Sequence, residues 1–199
     1  MTAIARLKIT LDGVKPQVLR RVDVPLTIRL DRLHLVLQVA LGWTNTHLWE
    51  IRAGGSGWGE PDQDETLGDG PRDARKIRLI DVLEDVGTKT LGYLYDFGDG
   101  WEHTVKIERL LDPMPGLDYP MLVEAKGRCP PEDVGGPPGY AEFLEAIADR
   151  KHPRHDELME WRGEHFDPHV LRVERIAEQI RALAKKWSRK PGAKPARRS

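Results

Sequence analysis

The chain has 199 residues, of which 32% are charged, and its formal net charge is −1. This total conceals a division, because residues 181–199 hold eight basic and no acidic side chains, whereas residues 1–180 hold 23 basic and 32 acidic ones and are therefore acidic, at −9. No apolar run approaches the roughly 20 residues of a membrane span, and no apolar signal peptide opens the chain. The single cysteine cannot form an internal disulfide. We therefore expect a cytoplasmic protein with no membrane partner.

The first elements predicted are a β-hairpin and a helix. Apolar and polar residues alternate over residues 5–11 and again over residues 18–24, with turn-forming residues between them, which is typical of two paired strands. The apolar spacing then changes to the helical period. We expect Thr27 to cap a helix that runs to Leu41 and stops at Gly42.

A third strand is predicted over residues 47–52, followed by a flexible, glycine-rich acidic loop over residues 53–75. Residues 76–79 favour a short strand, and Asp81 could cap one helical turn. His47 borders Trp43 and Trp49, so it is a better candidate for a functional site than His34 on the first helix. Both histidines would also fit packing or hydrogen-bonding roles.

The strongest hairpin signal lies in the middle of the chain. Two apolar segments, residues 91–97 and 101–108, flank the sequence Gly98-Asp99-Gly100. Asp-Gly favours the positive φ angles that tight hairpin turns require. We therefore predict two antiparallel strands joined at this point.

The tip of this hairpin gathers acids and an imidazole, namely Asp96, Asp99, Glu102 and His103. Such a group could bind a divalent metal, with Asp96, Asp99 and His103 as candidate ligands, or could perform acid–base chemistry. The same aspartates would also fit a purely conformational role, since Asp often shapes turns through hydrogen bonds to the backbone. The Asp-Phe-Gly triplet does not indicate a kinase, because the other kinase motifs are absent.

Residues 112–140 are rich in proline and glycine, and the segment 129–136 holds Glu132 and Asp133 behind two prolines. Prolines make such a loop stiff. It could be a functional loop or a structural clasp that covers a sheet edge. If it is functional, the candidate catalytic residues are Asp96, Asp99, His103, Glu132 and Asp133.

Helices dominate the C-terminal part. Patterns predict helices over residues 140–148 and 156–162 and a long helix capped by Asp167 with Pro168 at its first position. Order is expected to end near Trp187. The cations beyond could attract the phosphates of a nucleic acid or could simply be solvated; they are Lys185, Lys186, Arg189, Lys190, Lys194, Arg197 and Arg198.

This order of elements predicts the α+β class, with a mostly antiparallel or mixed sheet, one N-terminal helix packed on it and a C-terminal group of helices. We expect one domain over residues 1–187 and a basic, disordered tail over residues 188–199.

Several short segments, in this order, resemble the plasmid pRiA4b ORF-3-like proteins, also labelled transposon passenger proteins of the TnpR type. They are PQVLRR at 16–21, LGW at 41–43 with HL at 47–48, YDFGDGWEH at 95–103, CPPEDVGG at 129–136, GY at 139–140, WRG at 161–163 and FDP at 166–168. Leu19 departs from the aromatic residue usual in that family, and the basic extension after Trp187 is a second departure. The resemblance implies an α+β domain found on plasmids, transposons and chromosomes, and it implies no established activity.

We therefore expect an uncharacterised accessory or binding protein associated with mobile elements, with a nucleic acid or a protein as partner and no identified cofactor. A serine recombinase is excluded, because the three serines do not lie early in an arginine-rich catalytic domain. The alternative is a metal-dependent hydrolase such as a nuclease, in which the hairpin and loop acids would converge on a divalent metal that activates water.

Overall fold

The structure, a computed structural model, describes residues 2–61, 70–162 and 166–188. Eight strands occur in chain order: β1 Ile4–Leu11, β2 Leu19–Pro25, β3 Trp49–Ala53, β4 Ser56–Gly59, β5 Arg72–Asp73, β6 Thr90–Tyr95, β7 Trp101–Leu111 and β8 Met121–Lys126. The α-helices are α1 Leu30–Leu41, α2 Leu79–Val86, α3 Gly136–Ala148, α4 His155–Trp161 and α5 Val173–Ser188.

The strands form one eight-stranded sheet in the order β5-β4-β3-β6-β7-β1-β2-β8. The pairings are antiparallel except for that of β4 with β5, which is parallel. The α+β class and the mixed, mostly antiparallel sheet predicted from the sequence are confirmed.

The two faces of the sheet differ in polarity because side chains alternate along each strand. Leu7 and Ile9 of β1 and Val105 of β7 are buried, and they share one hydrophobic cluster with residues of α1 and α5 such as Leu37 and Ile180. The residues between them on β1 and β7 are polar or charged and lie on the opposite, outer face.

Helix α1 begins at Leu30, so the predicted cap at Thr27 was wrong. The backbone before the helix is held by other partners: Ile28 N–H donates to the Pro25 carbonyl, and Arg29 forms an isolated β-bridge with Arg78. The predicted stop was correct, since Gly42 adopts a left-handed φ of 90° and closes the helix.

The glycine-rich segment after β3 is not a flexible loop at its start. Gly54 and Gly55 adopt positive φ angles and form a turn, after which β4 pairs with β3 and buries Trp58. The predicted strand at 76–79 was also wrong, because a 3-10 turn occupies Ala74–Lys76 and α2 begins at Leu79, with only an isolated bridge at Arg78 between them. Residues 62–69 of the predicted loop lie outside the described residues.

Strand β8 was missed in the sequence, because the prolines and glycines around it suggested irregular structure throughout. It pairs with β2 along one edge of the sheet. The long C-terminal helix, predicted from Asp167, begins at Val173 instead. Asp167 caps a short turn through a hydrogen bond from His169 N–H to its Oδ1 at 2.7 Å. Among the residues described, no helix has the length and apolar character needed to cross a membrane.

Candidate functional site

Two loops meet at one end of the sheet: the β6–β7 turn and the proline-rich loop that leads into α3. Gly135 N–H donates to Asp99 Oδ2 at 3.2 Å. At Gly136 the backbones pass so closely that an added Cβ would lie 2.2 Å from the Asp99 carbonyl oxygen. A glycine is therefore required at residue 136, both for this approach and for its φ of 68°.

Asp96 occupies the start of the β6–β7 turn in a left-handed conformation, with φ of 57°. Its Oδ1 accepts hydrogen bonds from Gly98 N–H at 3.0 Å and Asp99 N–H at 3.3 Å. The aspartate thus shapes the turn, as the conformational interpretation predicted. Its Oδ2 is not used by these bonds and lies 3.6 Å from His47 Nδ1.

Asp133 reaches the same point from the proline-rich loop. It too has a positive φ, of 61°, and its Oδ1 lies 3.2 Å from His47 Nε2. One ligand atom from each of His47, Asp96 and Asp133 lies within 4.8 Å of the other two. The imidazole of His47 packs edge-on against Tyr95, with ring centroids 5.8 Å apart.

This group, which we call the candidate centre (His47, Asp96 and Asp133), has the chemistry of a divalent-metal site. Asp96 and Asp133 approach different ring nitrogens of His47, and one ion could take only one of these nitrogens. The geometric support for a shared ion is therefore the grouping of one ligand atom from each residue within 4.8 Å. Two carboxylates and one imidazole suit Zn²⁺ or Mn²⁺. The Asp133 side chain is 70% exposed, so water and a substrate could reach an ion bound here.

Glu132 supports the candidate centre by fixing the loop that carries Asp133. It accepts hydrogen bonds from Thr44 N–H at 3.1 Å, from the Thr44 hydroxyl and from the Tyr95 hydroxyl at 2.6 Å. Burial raises the pKa of Glu132, but these hydrogen bonds outweigh burial and leave the pKa below its usual value. Burial and, after it, the bond to Glu132 raise the pKa of Tyr95 to about 12.

The aromatic side chains around Tyr95 are packed in a fixed arrangement. Trp43 stacks on Tyr95 with ring centroids 4.9 Å apart, and its Nε1–H donates to the Pro130 carbonyl at 3.2 Å. These contacts tie the end of α1 to β6 and to the proline-rich loop. The three sequence segments that carry Trp43, Tyr95 and Glu132 therefore meet at the candidate centre.

The structure separates the five residues predicted to act together. Asp96 and Asp133 belong to the candidate centre, Glu132 lies beside it, and Asp99 is engaged with Gly135. His103 lies in the core, where it is 1% exposed and forms a hydrogen bond from Nδ1–H to the Tyr93 carbonyl at 3.0 Å.

His47 was not among the predicted ligands. It is distant from both acids in sequence, and the only available signal was its position beside two tryptophans. Of the cationic residues predicted to attract nucleic acid, Lys185 and Lys186 are exposed on α5. The other five, Arg189, Lys190, Lys194, Arg197 and Arg198, lie outside the described residues.

Fold and site together define an α+β protein with a candidate metal centre between two loops. The sequence profile described as plasmid pRiA4b ORF-3-like protein matches residues 3–175. The chain belongs to this family, as the sequence motifs indicated.

The chain is also similar to two individual proteins. The chain is 54% identical over 191 residues to the uncharacterised protein y4hQ of Sinorhizobium fredii (strain NBRC 101917 / NGR234), and the alignment covers 96% of this chain and 97% of that protein. A crystal structure of a protein of unknown function, MM3350 from Methanosarcina mazei Go1, is similar with a TM-score of 0.78 and 30% identity, covering 90% of this chain and 98% of that one.

Proposed function

We propose that the chain is a divalent-metal-dependent hydrolase whose metal ligands are His47, Asp96 and Asp133. The observation that supports this function is the convergence of one imidazole and two carboxylates from three separate segments within 4.8 Å. Two carboxylates balance the charge of a divalent cation, while positions left open on the ion can hold water. A metal-bound water can ionise near neutral pH and act as a nucleophile.

In this proposal the neighbouring side chains position the ligands and do not bind the ion. Glu132 holds the Asp133 loop against Thr44 and Tyr95 through its hydrogen bonds. Asp99 holds the same loop through Gly135. A phosphodiester is the first substrate class to test, because the chain also carries a cationic segment suited to phosphate.

The test is metal binding to the purified protein, with Mn²⁺ and Zn²⁺ titrated by calorimetry and hydrolysis of a chromogenic phosphodiester followed in parallel. Asp133→Asn removes a ligand charge from an exposed side chain, and Asn tolerates the positive φ of that position. We expect it to weaken metal affinity by about tenfold or more and to reduce hydrolysis by a similar factor.

Asp99→Asn is the matched control. Its amide oxygen can still accept the Gly135 N–H, so the loop junction is retained while one carboxylate charge is lost. We expect metal affinity close to that of the wild type. Weaker metal binding by Asp99→Asn, with unchanged binding by Asp133→Asn, would favour Asp99 as a ligand in place of Asp133. No metal binding by the wild type would refute the proposal.

A second candidate function is that of an accessory protein, associated with mobile elements, that binds a nucleic acid or a protein partner without catalysis. Two observations favour it: the exposed Lys185 and Lys186 at the end of α5, and the five further cations that follow in sequence. Both oxygens of Glu132 are also occupied by hydrogen bonds within the protein, which suits a structural role for that acid.

A further inference from the structure

A cluster of cations occupies the outer face of the sheet, remote in sequence from the cationic tail. Strands β7, β1, β2 and β8 form a shallow depression there of about 470 Å³. We call it the basic depression and define it by its five basic residues, Arg6, Lys8, Arg21, Lys106 and Arg109. It is a local positive surface on a body whose formal charge is −9 over residues 1–180.

The strand register places like charges directly opposite one another. Lys8 on β1 faces Lys106 on β7 and also faces Arg21 on β2. Arg6 on β1 faces Arg109 on β7. Directly opposed side chains lie on the same face of a sheet, and like charges in such pairs destabilise it. Arg6 also faces Asp23 on β2 and Arg21 also faces Glu124 on β8, so these two contacts are offset by acids, whereas Lys8 and Lys106 face each other without one.

Acids of the protein neutralise the basic depression only in part. Arg6 pairs with Asp23 at 2.8 Å, and Arg21 pairs with Glu108 at 2.9 Å and also with Glu124. Within the described ranges, no carboxylate lies at salt-bridge distance from the other three cations. The pKa of Glu108 is lowered chiefly by the Arg21 hydrogen bond and further by the charges of Lys8 and Arg109. This one carboxylate therefore interacts with three cations of the depression.

Two irregularities of the sheet fall at the same place. The register of β1 with β7 shifts between Arg6 and Leu7, and the register of β2 with β8 shifts between Arg21 and Val22. The residues left over on the partner strands, Glu108 and Val123, both line the basic depression. Bulges redirect side chains and often lie beside functional sites.

We propose that the basic depression binds the phosphate backbone of a duplex nucleic acid. Cations on neighbouring strands lie about 5 Å apart, and a duplex presents phosphates closely enough to contact several of them at once. No aromatic side chain lines the depression among the described residues, so there is no platform for stacked bases of a single strand. The proposal does not depend on the candidate centre, and it places the contact on the sheet and not on the tail.

The experiment measures binding of a short fluorescent DNA duplex to the full chain by anisotropy at several salt concentrations, with EDTA present so that no divalent metal contributes. The triple variant carries Lys8→Thr, Lys106→Thr and Arg109→Thr. We expect its DNA binding to depend less on salt: the slope of log binding constant against log salt concentration should be less negative by about 2.7, at about 0.9 for each lost phosphate contact. The melting temperature should not fall, because opposed like charges are removed. The tail is identical in these proteins, so its contribution cancels.

A control triple variant, Lys76→Thr, Arg150→Thr and Lys151→Thr, removes the same residue types from exposed positions on other elements. An unchanged slope in the sheet variant, or an equal change in the control, would overturn the proposal. Equally tight binding of polyglutamate or of single-stranded DNA would also overturn it. If the triple variant does not fold, the single variant Lys106→Thr tests the proposal. Its slope of log binding constant against log salt concentration should be less negative by about 0.9.

Discussion

At the scale of single residues, two buried histidines make the protein sensitive to acid. Burial lowers the pKa of His103 to about 4 and, against a hydrogen bond to Asn45, lowers the pKa of His34 to about 4 as well. His103 Nε2 has no hydrogen-bond partner among the described residues, and its ring packs edge-on against Trp43. Both rings are therefore neutral in the folded protein at pH 7.

The linkage gives a testable pH dependence. An unfolded histidine titrates near pH 6.5, so between pH 6.5 and about 4 the unfolded chain binds a proton that folded His103 does not bind. Stability must therefore fall as the pH falls through this window. For His103 alone the loss between pH 7 and pH 5 is about 2 kcal/mol. Urea unfolding at the two pH values measures it.

His103→Gln isolates this effect, because its amide can still donate to the Tyr93 carbonyl but does not titrate. Whatever its stability at pH 7, we expect this variant to lose about 2 kcal/mol less than the wild type on going to pH 5. His169→Gln, which removes an exposed histidine, is the control. The same loss in wild type and His103→Gln would contradict the assignment of His103 as a buried neutral residue.

At the scale of elements, Arg20 joins three parts of the fold from the buried face of β2. Its Nε donates to the Ala40 carbonyl at 2.6 Å, and its Nη1 donates to the Leu19 and Lys126 carbonyls, each at 2.8 Å. Ala40 lies at the C-terminal end of α1, where a cation is favoured by the helix dipole. The edge strand β8 is thus linked to the first helix by one side chain.

Arg20→Lys is expected to lower the free energy of unfolding by about 2–4 kcal/mol, because a single ammonium cannot reach carbonyls in three directions. Arg21→Lys is the matched control on the outer face of the same strand, where the pairs with Glu108 and Glu124 are partly exposed. We expect a change of about 1 kcal/mol or less there. Equal decreases in the free energy of unfolding for the two variants, measured by denaturant unfolding, would contradict the linking role of Arg20.

The elements that sequence patterns predicted well are those whose signal is local. The β1–β2 and β6–β7 hairpins follow from alternation and turn residues, and Gly42 marked the end of α1. Strand β8 was hidden by its proline-rich surroundings and exists because β2 offers it an unpaired edge. The start of α5 was misplaced because Asp167 caps a turn as readily as it caps a helix.

At the scale of the whole molecule, the charge division separates two kinds of site. The acids that form the candidate centre belong to the body, at −9, whereas the last 19 residues carry eight cations. The tail and the basic depression are both suited to phosphate, and they differ in that the depression is built on paired strands. The cations of the tail and those of the basic depression can therefore be removed by separate sets of changes.

Removing the tail tests the accessory function. A chain that ends at Ser188 and carries Lys185→Gln and Lys186→Gln loses all seven predicted nucleic-acid contacts but keeps Trp187, over which Arg32 lies at 5.1 Å. We expect the slope of log binding constant against log salt concentration for duplex DNA to become less negative by up to about 6. The melting temperature should not change. Unchanged affinity at low salt would exclude the tail as a binding element.

Two members of the candidate centre, Asp96 and Asp133, were among the residues named from the sequence, because acids beside tight turns and prolines stood out. His103, the histidine named with them, is seven residues from Asp96, but strand alternation places its side chain in the core. His47 is 49 residues away and reaches Asp96 because β3 pairs with β6.

The sequence by itself determined the family, the α+β class, the principal hairpins and the division of charge, because motifs, alternation and composition act over short stretches of chain. Only the tertiary structure decided which acids lie beside which histidine, and which cations face one another across strands. Those outcomes depend on strand order, register and bulges, which arise from pairing between segments far apart in the chain.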